Sequence, residues 1–286
     1  VPQSLQKPLG ALEKRGNPWG KMEKKRSEWV KEIAEEAPVK LFEKGAAADT
    51  LYFVDSISSY DDRMQGIARA TAKILTGAGI DFGILGKAER DSGHEVRRFG
   101  EEMLFQDLKD RNTTAILNCG AKKIVTADPH AYNALKKDYR NIPPVEHISQ
   151  TIVQHLKTGK IRLNPAEDSS KTYVYHDPCY LGRHNGIYDE PREVLQKIPG
   201  LELSEMPETR ENSLCCGGGG GRIWMETPRG ERFSDLRLEQ AVGVGADELV
   251  TCCPYCITHF EESKLALENN ENFEIKDLTE VIAEVI

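Results

Sequence analysis

Short apolar runs alternate with longer amphipathic segments along most of the chain. In the first half, residues 51–54, 82–85 and 123–126 predict strands, and residues 61–77, 95–118 and 130–139 predict helices. Short strands separated by helical patterns are typical of parallel crossover connections, because a parallel strand pair needs a long return segment. The pattern therefore predicts an α/β fold.

The second half of the chain repeats this plan. It has predicted strands at residues 173–175, 201–203 and 248–251 and predicted helices at residues 190–198, 229–244 and 257–268. Three loops also correspond at separations of 123, 124 and 125 residues, which pair Ser56 with Cys179, Ser92 with Cys216 and Asp128 with Cys253. Such regular spacing indicates a duplication. We predict two tandem, related α/β repeats with mainly parallel sheets, at residues 49–165 and 166–286.

The segment before the first repeat has a different composition. Residues 1–48 are highly charged, with Trp19 and Trp29 among Lys, Arg and Glu. Residues 15–20 form a turn signal, and residues 21–37 have the pattern of an amphipathic helix. We predict a helical connector or docking arm outside the core, whose aromatic side chains pack on the following domain or on a partner.

Charge and hydropathy exclude several classes of protein. The chain has 38 Lys and Arg against 46 Asp and Glu, a net charge of −8, whereas nucleic-acid binding needs a concentrated basic face. Neither a run of roughly 20 apolar residues nor a secretory signal is present in the sequence. We expect a cytoplasmic protein that reaches a membrane only through partners. Its first residue is Val rather than Met, so we also expect a fragment of a longer protein.

Five of the seven cysteines come from three loops of the second repeat. They are Cys179, Cys215, Cys216, Cys253 and Cys256. An odd cysteine total with adjacent pairs and no secretory signal fits metal binding or redox chemistry better than a disulfide framework. The loops follow predicted parallel strands, so they are expected to converge at the carboxyl edge of the sheet, where α/β proteins bind ligands.

The number of thiols bears on the kind of metal site. A tetrahedral zinc site and a cubane [4Fe–4S] cluster each take four ligands, whereas five thiols, or six with Cys252, favour a larger or opened polynuclear cluster. Zinc remains the alternative. Gly217 to Gly221 follow directly, and since no Lys-Ser/Thr comes next, this is not a P-loop. We expect the glycine backbone N–H groups to approach the cluster sulfurs.

The cysteine motif resembles a known family. Cys-x35-Cys-Cys-Gly-x35-Cys-Pro-x-Cys, preceded by His-Asp-Pro-Cys-Tyr-Leu-Gly-Arg at residues 176–183, is similar to the cysteine-rich CCG domain. That family includes catalytic subunits of heterodisulfide reductase and iron–sulfur subunits of glycolate, lactate and glycerol-3-phosphate oxidoreductases. The resemblance covers roughly residues 50–286 and implies a non-cubane [4Fe–4S] cluster on the same five cysteines, Cys179, Cys215, Cys216, Cys253 and Cys256. Residues 17–20 resemble the connector that follows a two-cluster ferredoxin domain in fused members.

The first repeat departs from the family motif. Residues other than cysteine stand at all the corresponding positions, namely Ser56, Asp91, Ser92, Asp128 and Ala131. We therefore expect a scaffold without an iron–sulfur cluster of this type, with a hard metal at Asp91 and Asp128 as the alternative.

Several further residues have two interpretations each. His176 and Asp177 either orient a cluster loop, move protons or only form a turn, and Arg183 is placed to steady a negative cluster. Cys252 is predicted as a thiol beside the cluster, with a sixth ligand as the alternative. Cys119 is predicted as a lone buried thiol, and His130 as a packing or capping residue.

Two functions from different classes follow from the resemblance, besides a zinc-stabilised scaffold. The first is an iron–sulfur redox subunit of a heterodisulfide reductase-like oxidoreductase, which exchanges electrons with a disulfide/thiol or a quinone-linked partner. The second is a non-catalytic electron relay in a flavin-dependent dehydrogenase complex of the glycolate, lactate or electron-transfer-flavoprotein type. Both imply iron–sulfur or flavin partner subunits, a membrane subunit or an upstream ferredoxin domain. No separate acid–base dyad stands out, which fits chemistry supplied by a cofactor.

Overall fold

The computed structural model describes residues 2–166, 168–228, 230–265 and 272–286. Within these ranges, the strands form two sheets and every strand pair is parallel. No helix in the described part of the chain combines the length and apolar character needed to cross a bilayer.

The first sheet contains strands from residues 40 to 147. They are β1 (Lys40–Leu41), β2 (Thr50–Tyr52), β3 (Phe82–Ile84), β4 (Lys123–Thr126) and β5 (Val145–His147), in the order β1-β3-β2-β4-β5. The second sheet contains β6 (Thr172–Tyr175), β7 (Glu202–Ser204), β8 (Glu248–Thr251) and β9 (Glu274–Asp277), in the order β7-β6-β8-β9. Apart from the edge strand β1, the two orders are the same. The predicted α/β class with two related repeats is confirmed.

The helices connect these strands and cover the sheets. In the first repeat they are α2 (Asp55–Tyr60), α3 (Gln65–Gly77), α4 (His94–Arg98), α5 (Glu102–Cys119), α6 (Pro129–Lys137) and α7 (Ile148–Lys157). In the second repeat they are α8 (Asp189–Gln196), α9 (Phe233–Gly243), α10 (Pro254–Lys264) and α11 (Leu278–Val285).

Equivalent helices begin in the same way in both repeats. Helices α6 and α10 each open with a proline, which suits the first helical position because its missing N–H has no intrahelical partner there. Helices α7 and α11 each begin with a capping box, His147 with Gln150 and Asp277 with Glu280. The local start signals thus support the duplication independently of the sheet order.

The last helix of each repeat packs on the other repeat. Helix α7 packs against α8, and α11 packs against α3. A single hydrophobic cluster therefore includes buried residues of both repeats, such as Leu75 and Ile282. Across the same contact, Arg63 Nη1 lies 2.6 Å from Glu280 Oε1. This exchange of helices holds the two repeats together with the loops after β4 and β8 in contact.

The amino-terminal segment is more closely integrated than the sequence predicts. It forms α1 (Gln3–Arg15), a 3-10 helix (Glu23–Ile33) and strand β1, which pairs with β3. The prediction of an amphipathic α-helix over residues 21–37 is therefore wrong in type and extent. Trp29 is fully buried in the core, and the Trp19 ring lies 5.2 Å from that of Trp224 in the second repeat. The expected packing of these aromatics on the following domains is confirmed.

Four predicted helices differ from the observed ones at their ends. Residues 61–64 precede α3 as a turn in which Asp61 Oδ1 accepts hydrogen bonds from the N–H groups of Arg63 and Met64. The predicted helix 95–118 is divided into α4 and α5 at Gly100, whose φ of 86° does not fit a helix. Helix α10 begins three residues earlier than predicted, and residues 266–268 of that prediction lie outside the described residues. Helix α9 begins at Phe233, and residue 229 also lies outside them.

Candidate metal centre

The structure brings the five predicted cysteines together as one row of contacting thiols. Cys215 hydrogen-bonds with Cys179 on one side and with Cys216 on the other. Cys216 in turn contacts Cys256, which contacts Cys253. Cys216, Cys253 and Cys256 are buried, whereas Cys179 and Cys215 are half-buried, and all are free thiols. The row thus runs from the interior toward the surface.

Three loops supply this row, each at the carboxyl edge of the second sheet. Cys179 lies in the turns that follow β6, and Cys215 and Cys216 lie directly before the glycine run. Cys253 is the N-cap of α10, and Cys256 lies in the first turn of that helix. The N-terminus of a helix favours thiolates because its exposed N–H groups carry partial positive charge.

The thiols have unequal tendencies to ionise. Hydrogen bonds from the thiols of Cys179 and Cys216 lower the pKa of Cys215. Burial raises the pKa of Cys253, but hydrogen bonds from Cys256 and His130 overcome this effect and lower that pKa to about 5. The hydrogen bond to Cys215 raises the pKa of Cys216, and burial raises the pKa of Cys256. Thiolates are the soft ligands that iron–sulfur clusters, zinc and copper(I) prefer.

Backbone N–H groups of the glycine run reach two of the sulfurs. The Gly217 N–H donates to Cys215 Sγ at 3.3 Å, and the Gly218 N–H donates to Cys216 Sγ at 3.4 Å. Gly217 has a φ of 83°, and a Cβ at Gly218 would come within 3.0 Å of the Tyr255 carbonyl oxygen. The absence of side chains therefore allows the close approach that the sequence predicts.

The other two cysteines lie apart from this row. Cys252 is buried and hydrogen-bonds with Tyr175, and burial raises the pKa of its thiol. Cys119 lies at the end of α5, where its Sγ donates to the Ile116 carbonyl oxygen at 3.1 Å. Neither side chain points to a role as a sixth member of the row.

His176, before Cys179, lies beside the thiols. One of its ring nitrogens lies with the sulfurs of Cys216 and Cys256 in a group whose atoms are within 4.8 Å of one another. Arg237 Nε donates to His176 Nδ1 at 3.3 Å. Because a guanidinium only donates, this contact places the ring proton of neutral His176 on Nε2. Arg237 lies on α9, and sequence reasoning missed it because nothing in the local pattern links it to residue 176.

Asp177 and Arg183 hold the loops around the thiols. Asp177 accepts two hydrogen bonds from Arg192, at 2.7 and 2.8 Å, and a third from the Arg210 N–H at 2.8 Å. Arg183 donates to the carbonyl oxygen of Ser213, close to Cys215. The carboxylate of Asp177 therefore orients the loop and has its acceptor capacity used by structural partners.

The first repeat also contributes side chains to the centre. His130, on α6, stacks on Tyr255 with ring centroids 4.0 Å apart and hydrogen-bonds with Cys253. Its Nδ1 lies 2.8 Å from Glu95 Oε1, which also accepts from His94 Nδ1 at 2.9 Å. Burial would lower the pKa of His130, but the Glu95 carboxylate raises it. His130 is thus more than the packing or capping residue that the sequence predicts.

Sequence reasoning could have found these residues through the duplication. His94 and Glu95 follow Asp91 and Ser92, the equivalents of the adjacent cysteines, and His130 follows Asp128, the equivalent of Cys253. The spacing places them near the carboxyl edge of the first sheet. It does not reveal that this edge faces the thiols.

The residues that replace cysteine in the first repeat form different contacts. Ser56 Oγ accepts from Arg26 at 3.2 Å, and Asp91 and Asp128 accept from nearby backbone N–H groups. Among the described residues, two groups of three side chains lie close enough to share a metal ion, and neither includes Asp91 or Asp128. The geometry thus favours the scaffold interpretation over a hard-metal site.

A cavity of about 440 Å³ borders the outer end of the thiol row. Its lining includes three of the cysteines and three arginines, namely Cys179, Cys215, Cys216, Arg183, Arg222 and Arg232. One acidic residue, Glu231, also contributes to the lining. A larger cavity, of about 680 Å³, lies on the first repeat between Phe42 and Cys119, away from the thiol row. The smaller cavity is the one that gives a molecule access to the thiols.

Comparison with known proteins agrees with the site. The family model for the cysteine-rich domain CCG matches residues 57–136 and 173–261. The chain is 41% identical, over 98% of its length, to 40% of the "Probable iron-sulfur-binding oxidoreductase FadF" of Bacillus subtilis. It is 34% identical, over 99% of its length, to 41% of the "EtfAB:quinone oxidoreductase" of Syntrophomonas wolfei.

A third relative represents the heterodisulfide reductases. Over 94% of its length the chain is 32% identical to 65% of one subunit of the dihydromethanophenazine:CoB--CoM heterodisulfide reductase of Methanosarcina mazei. The chain spans about two fifths of the length of the first two relatives. The similarity therefore concerns this region of those proteins.

Proposed function

Because the chain belongs to the CCG cysteine-rich domain family, we propose that it is an iron–sulfur redox subunit with one non-cubane [4Fe–4S] cluster. The proposed ligands are Cys179, Cys215, Cys216, Cys253 and Cys256. The contact of five free thiols in one row carries this proposal. A surplus over four sulfurs is what an opened polynuclear cluster can use and a tetrahedral zinc site cannot.

The surroundings of the thiols fit such a group. The N-terminus of α10 and the glycine N–H groups stabilise negative charge on sulfur. Hydrogen bonds to ligand sulfurs are also a means by which proteins set the reduction potential of a cluster. When bound, the cluster supplies one-electron transfer, and the residues around it fix its position and the access of other molecules.

We propose that the subunit exchanges electrons with a disulfide/thiol substrate or a quinone-linked partner, as part of a heterodisulfide reductase-like complex. The cavity at Cys179, Cys215 and Cys216 supports this function because it opens the outer end of the row to a small molecule. The three arginines in its lining favour an anionic substrate, since a guanidinium binds carboxylates, sulfonates and phosphates in bidentate geometry.

A second candidate is a non-catalytic relay between other cofactors of a flavin-dependent dehydrogenase complex. The similarity to the EtfAB:quinone oxidoreductase favours it. The replacement of all the cysteine positions in the first repeat favours it as well. In both candidates the partners are iron–sulfur or flavin subunits, and a membrane is reached through such partners.

The experiment that tests the proposal is anaerobic iron and sulfide analysis with EPR spectroscopy of the purified chain, before and after addition of a thiol. We expect about four irons and four sulfides per chain, as a [4Fe–4S] cluster requires, and an EPR spectrum unlike that of a cubane. A spectrum that changes on thiol addition supports the substrate-binding function, whereas an unchanged spectrum supports the relay.

Two variants complete the experiment. Cys216→Ser, at the middle of the thiol row, should lose most of the iron, whereas Cys119→Ser, outside the row, should retain all of it. Zinc without sulfide in the wild-type protein would overturn the proposal in both of its forms.

A further inference from the structure

Glu95 of the first repeat is buried between the two repeats and touches both. Its Oε1 lies 2.8 Å from His130 Nδ1, and its Oε2 accepts from the Gly221 N–H in the glycine run. A buried carboxylate needs partners of this kind, because an isolated buried charge is very costly. Glu95 therefore ties α6 of the first repeat to the loop that carries Cys215 and Cys216.

Aromatic neighbours restrict the orientation of the His130 ring. It stacks on Tyr255 at an interplanar angle of 3°, and the Tyr180 ring contacts it edge-on at 4.7 Å. Tyr255 lies between Cys253 and Cys256 in the sequence, and Tyr180 directly follows Cys179. The imidazole thus rests against the two loops that supply three of the five thiols.

The two ring nitrogens of His130 have different partners. Because Nδ1 faces Glu95, Nε2 is the nitrogen left for the hydrogen bond with the Cys253 thiol. A carboxylate, an imidazole and a sulfur atom then follow one another in a line. In metal sites, an outer carboxylate of this kind fixes both the tautomer and the direction of a histidine.

His94 strengthens this line rather than forming a separate metal site with Glu95 and His130. Asn185 Nδ2 donates to Asn133 Oδ1 at 3.0 Å, which turns the Asn133 amide nitrogen toward His94 Nε2 at 3.3 Å. With Nε2 as an acceptor, the ring proton lies on Nδ1 and is donated to Glu95. That nitrogen is then unavailable to a metal ion.

We propose that Glu95 and His130 are positioning residues of the cluster centre: Glu95 holds the imidazole so that its Nε2–H donates to the sulfur of Cys253. This proposal rests on the proposed function and deepens it, because it assigns the first repeat a role in the redox properties of the second. A hydrogen bond to a ligand sulfur stabilises the reduced, more negative cluster and so raises its reduction potential.

The test is the midpoint potential of the cluster, measured by EPR-monitored redox titration of the purified chain. His130→Phe keeps an aromatic ring on Tyr255 but removes the donor, so it should lower the midpoint potential. His130→Gln restores an N–H donor and should give an intermediate value. Glu95→Gln leaves the imidazole in place without its carboxylate and should lower the potential by less than His130→Phe.

A matched control is His155→Phe in the same repeat. The His155 ring nitrogen hydrogen-bonds the Thr151 carbonyl oxygen on its own helix, so this variant should keep the wild-type potential. If His130→Phe loses its iron, Glu95→Gln and His130→Gln decide the question. Wild-type potentials in all the iron-containing Glu95 and His130 variants would overturn this inference and leave the proposed function intact. A wild-type chain without iron and sulfide would overturn both.

Discussion

The carboxyl edges of the two sheets have the same architecture and opposite chemistry. In the second repeat, the loops after β6, β7 and β8 present a row of thiols. In the first repeat, the equivalent loops surround the guanidinium of Arg26, which is 2% exposed and comes from the amino-terminal segment. Arg26 lies 2.8 Å from Glu89 Oε1 and 3.2 Å from Ser56 Oγ.

This difference shows two ways in which one framework can hold its loops together. Burial raises the pKa of Glu89 and of Asp91 to about 7, and the nearby carboxylate of Asp55 adds to the effect on both. Those carboxyl groups gather around an internal cation. The thiols of the second repeat instead form an electron-rich surface that suits a bound metal cluster. The first edge is complete with protein atoms, whereas the second has ligand atoms to offer.

The largest expected effect comes from substitutions at the equivalent N-caps of α6 and α10. Cys253→Ser should abolish retention of iron, because it removes a buried thiol from the row. Asp128→Asn should keep the full iron content and cost about 1 kcal/mol or less, since Asn is as good an N-cap as Asp. Iron analysis and thermal unfolding of both purified variants test this. Equal iron loss in both would show that the two edges are not functionally distinct.

A smaller effect is expected from removal of the guanidinium in the first repeat. Arg26→Met leaves Glu89 buried without its partner, which should cost about 3–5 kcal/mol and lower the melting temperature by roughly 10 °C. Iron content should stay at the wild-type level. The surface variant Arg140→Met is the control and should change neither quantity. A loss of stability as small as that of the control would mean that Arg26 does not hold the first edge together.

Part of that cost should be recoverable. The double variant Arg26→Met with Glu89→Gln removes the charge as well as its partner, so it should unfold at a higher temperature than Arg26→Met alone. A double variant no more stable than Arg26→Met would indicate that the lost packing of the arginine stem, rather than the ion pair, accounts for the effect.

The smallest effect concerns pH. The pKa of Asp91 is raised from 3.8 to about 7 in the folded protein, by burial and the nearby Asp55. The folded state therefore binds more protons than the unfolded state between these values. The stabilisation is complete below about pH 4 and is lost as the pH rises through about 7. In Asp91→Asn, the slope of stability against pH should be reduced by at most about 1.4 kcal/mol per pH unit.

Melting temperatures measured between pH 5.5 and 7.5 test this last prediction, and the exposed Asp107→Asn serves as a control. Asp91 Oδ1 accepts from the Gly93 N–H at 2.9 Å, and an asparagine oxygen retains that bond. Parallel pH profiles for the wild-type and Asp91→Asn proteins would contradict a raised pKa at this position.

Much of the framework was predictable because its signals are local. Alternating apolar and amphipathic segments, together with the equal loop spacings, predict two parallel α/β repeats, as observed. Helix ends were less predictable. The break at Gly100 depends on a single positive φ, and the 3-10 helix around Trp29 is held by packing into the core rather than by helix propensity.

The residues around the thiols divide in the same way. Cys179, Cys215, Cys216, Cys253 and Cys256 announce themselves by residue type and spacing, because soft-metal ligands are rare and their loops follow strands. His130, Glu95 and Arg237 do not, because each is an ordinary residue on a helix until another part of the chain is placed beside it.

By itself, the sequence determined the duplication, the parallel architecture and the cysteine row, since each depends on short-range patterns repeated at a fixed distance. The tertiary structure alone decided which groups surround that row. Helices α7 and α11 exchange partners between the repeats, and this turns the carboxyl edge of the first repeat toward the second. Contacts between residues more than 100 positions apart, such as Glu95 with Gly221, arise only from that docking, because a local pattern contains no information about which surfaces will meet.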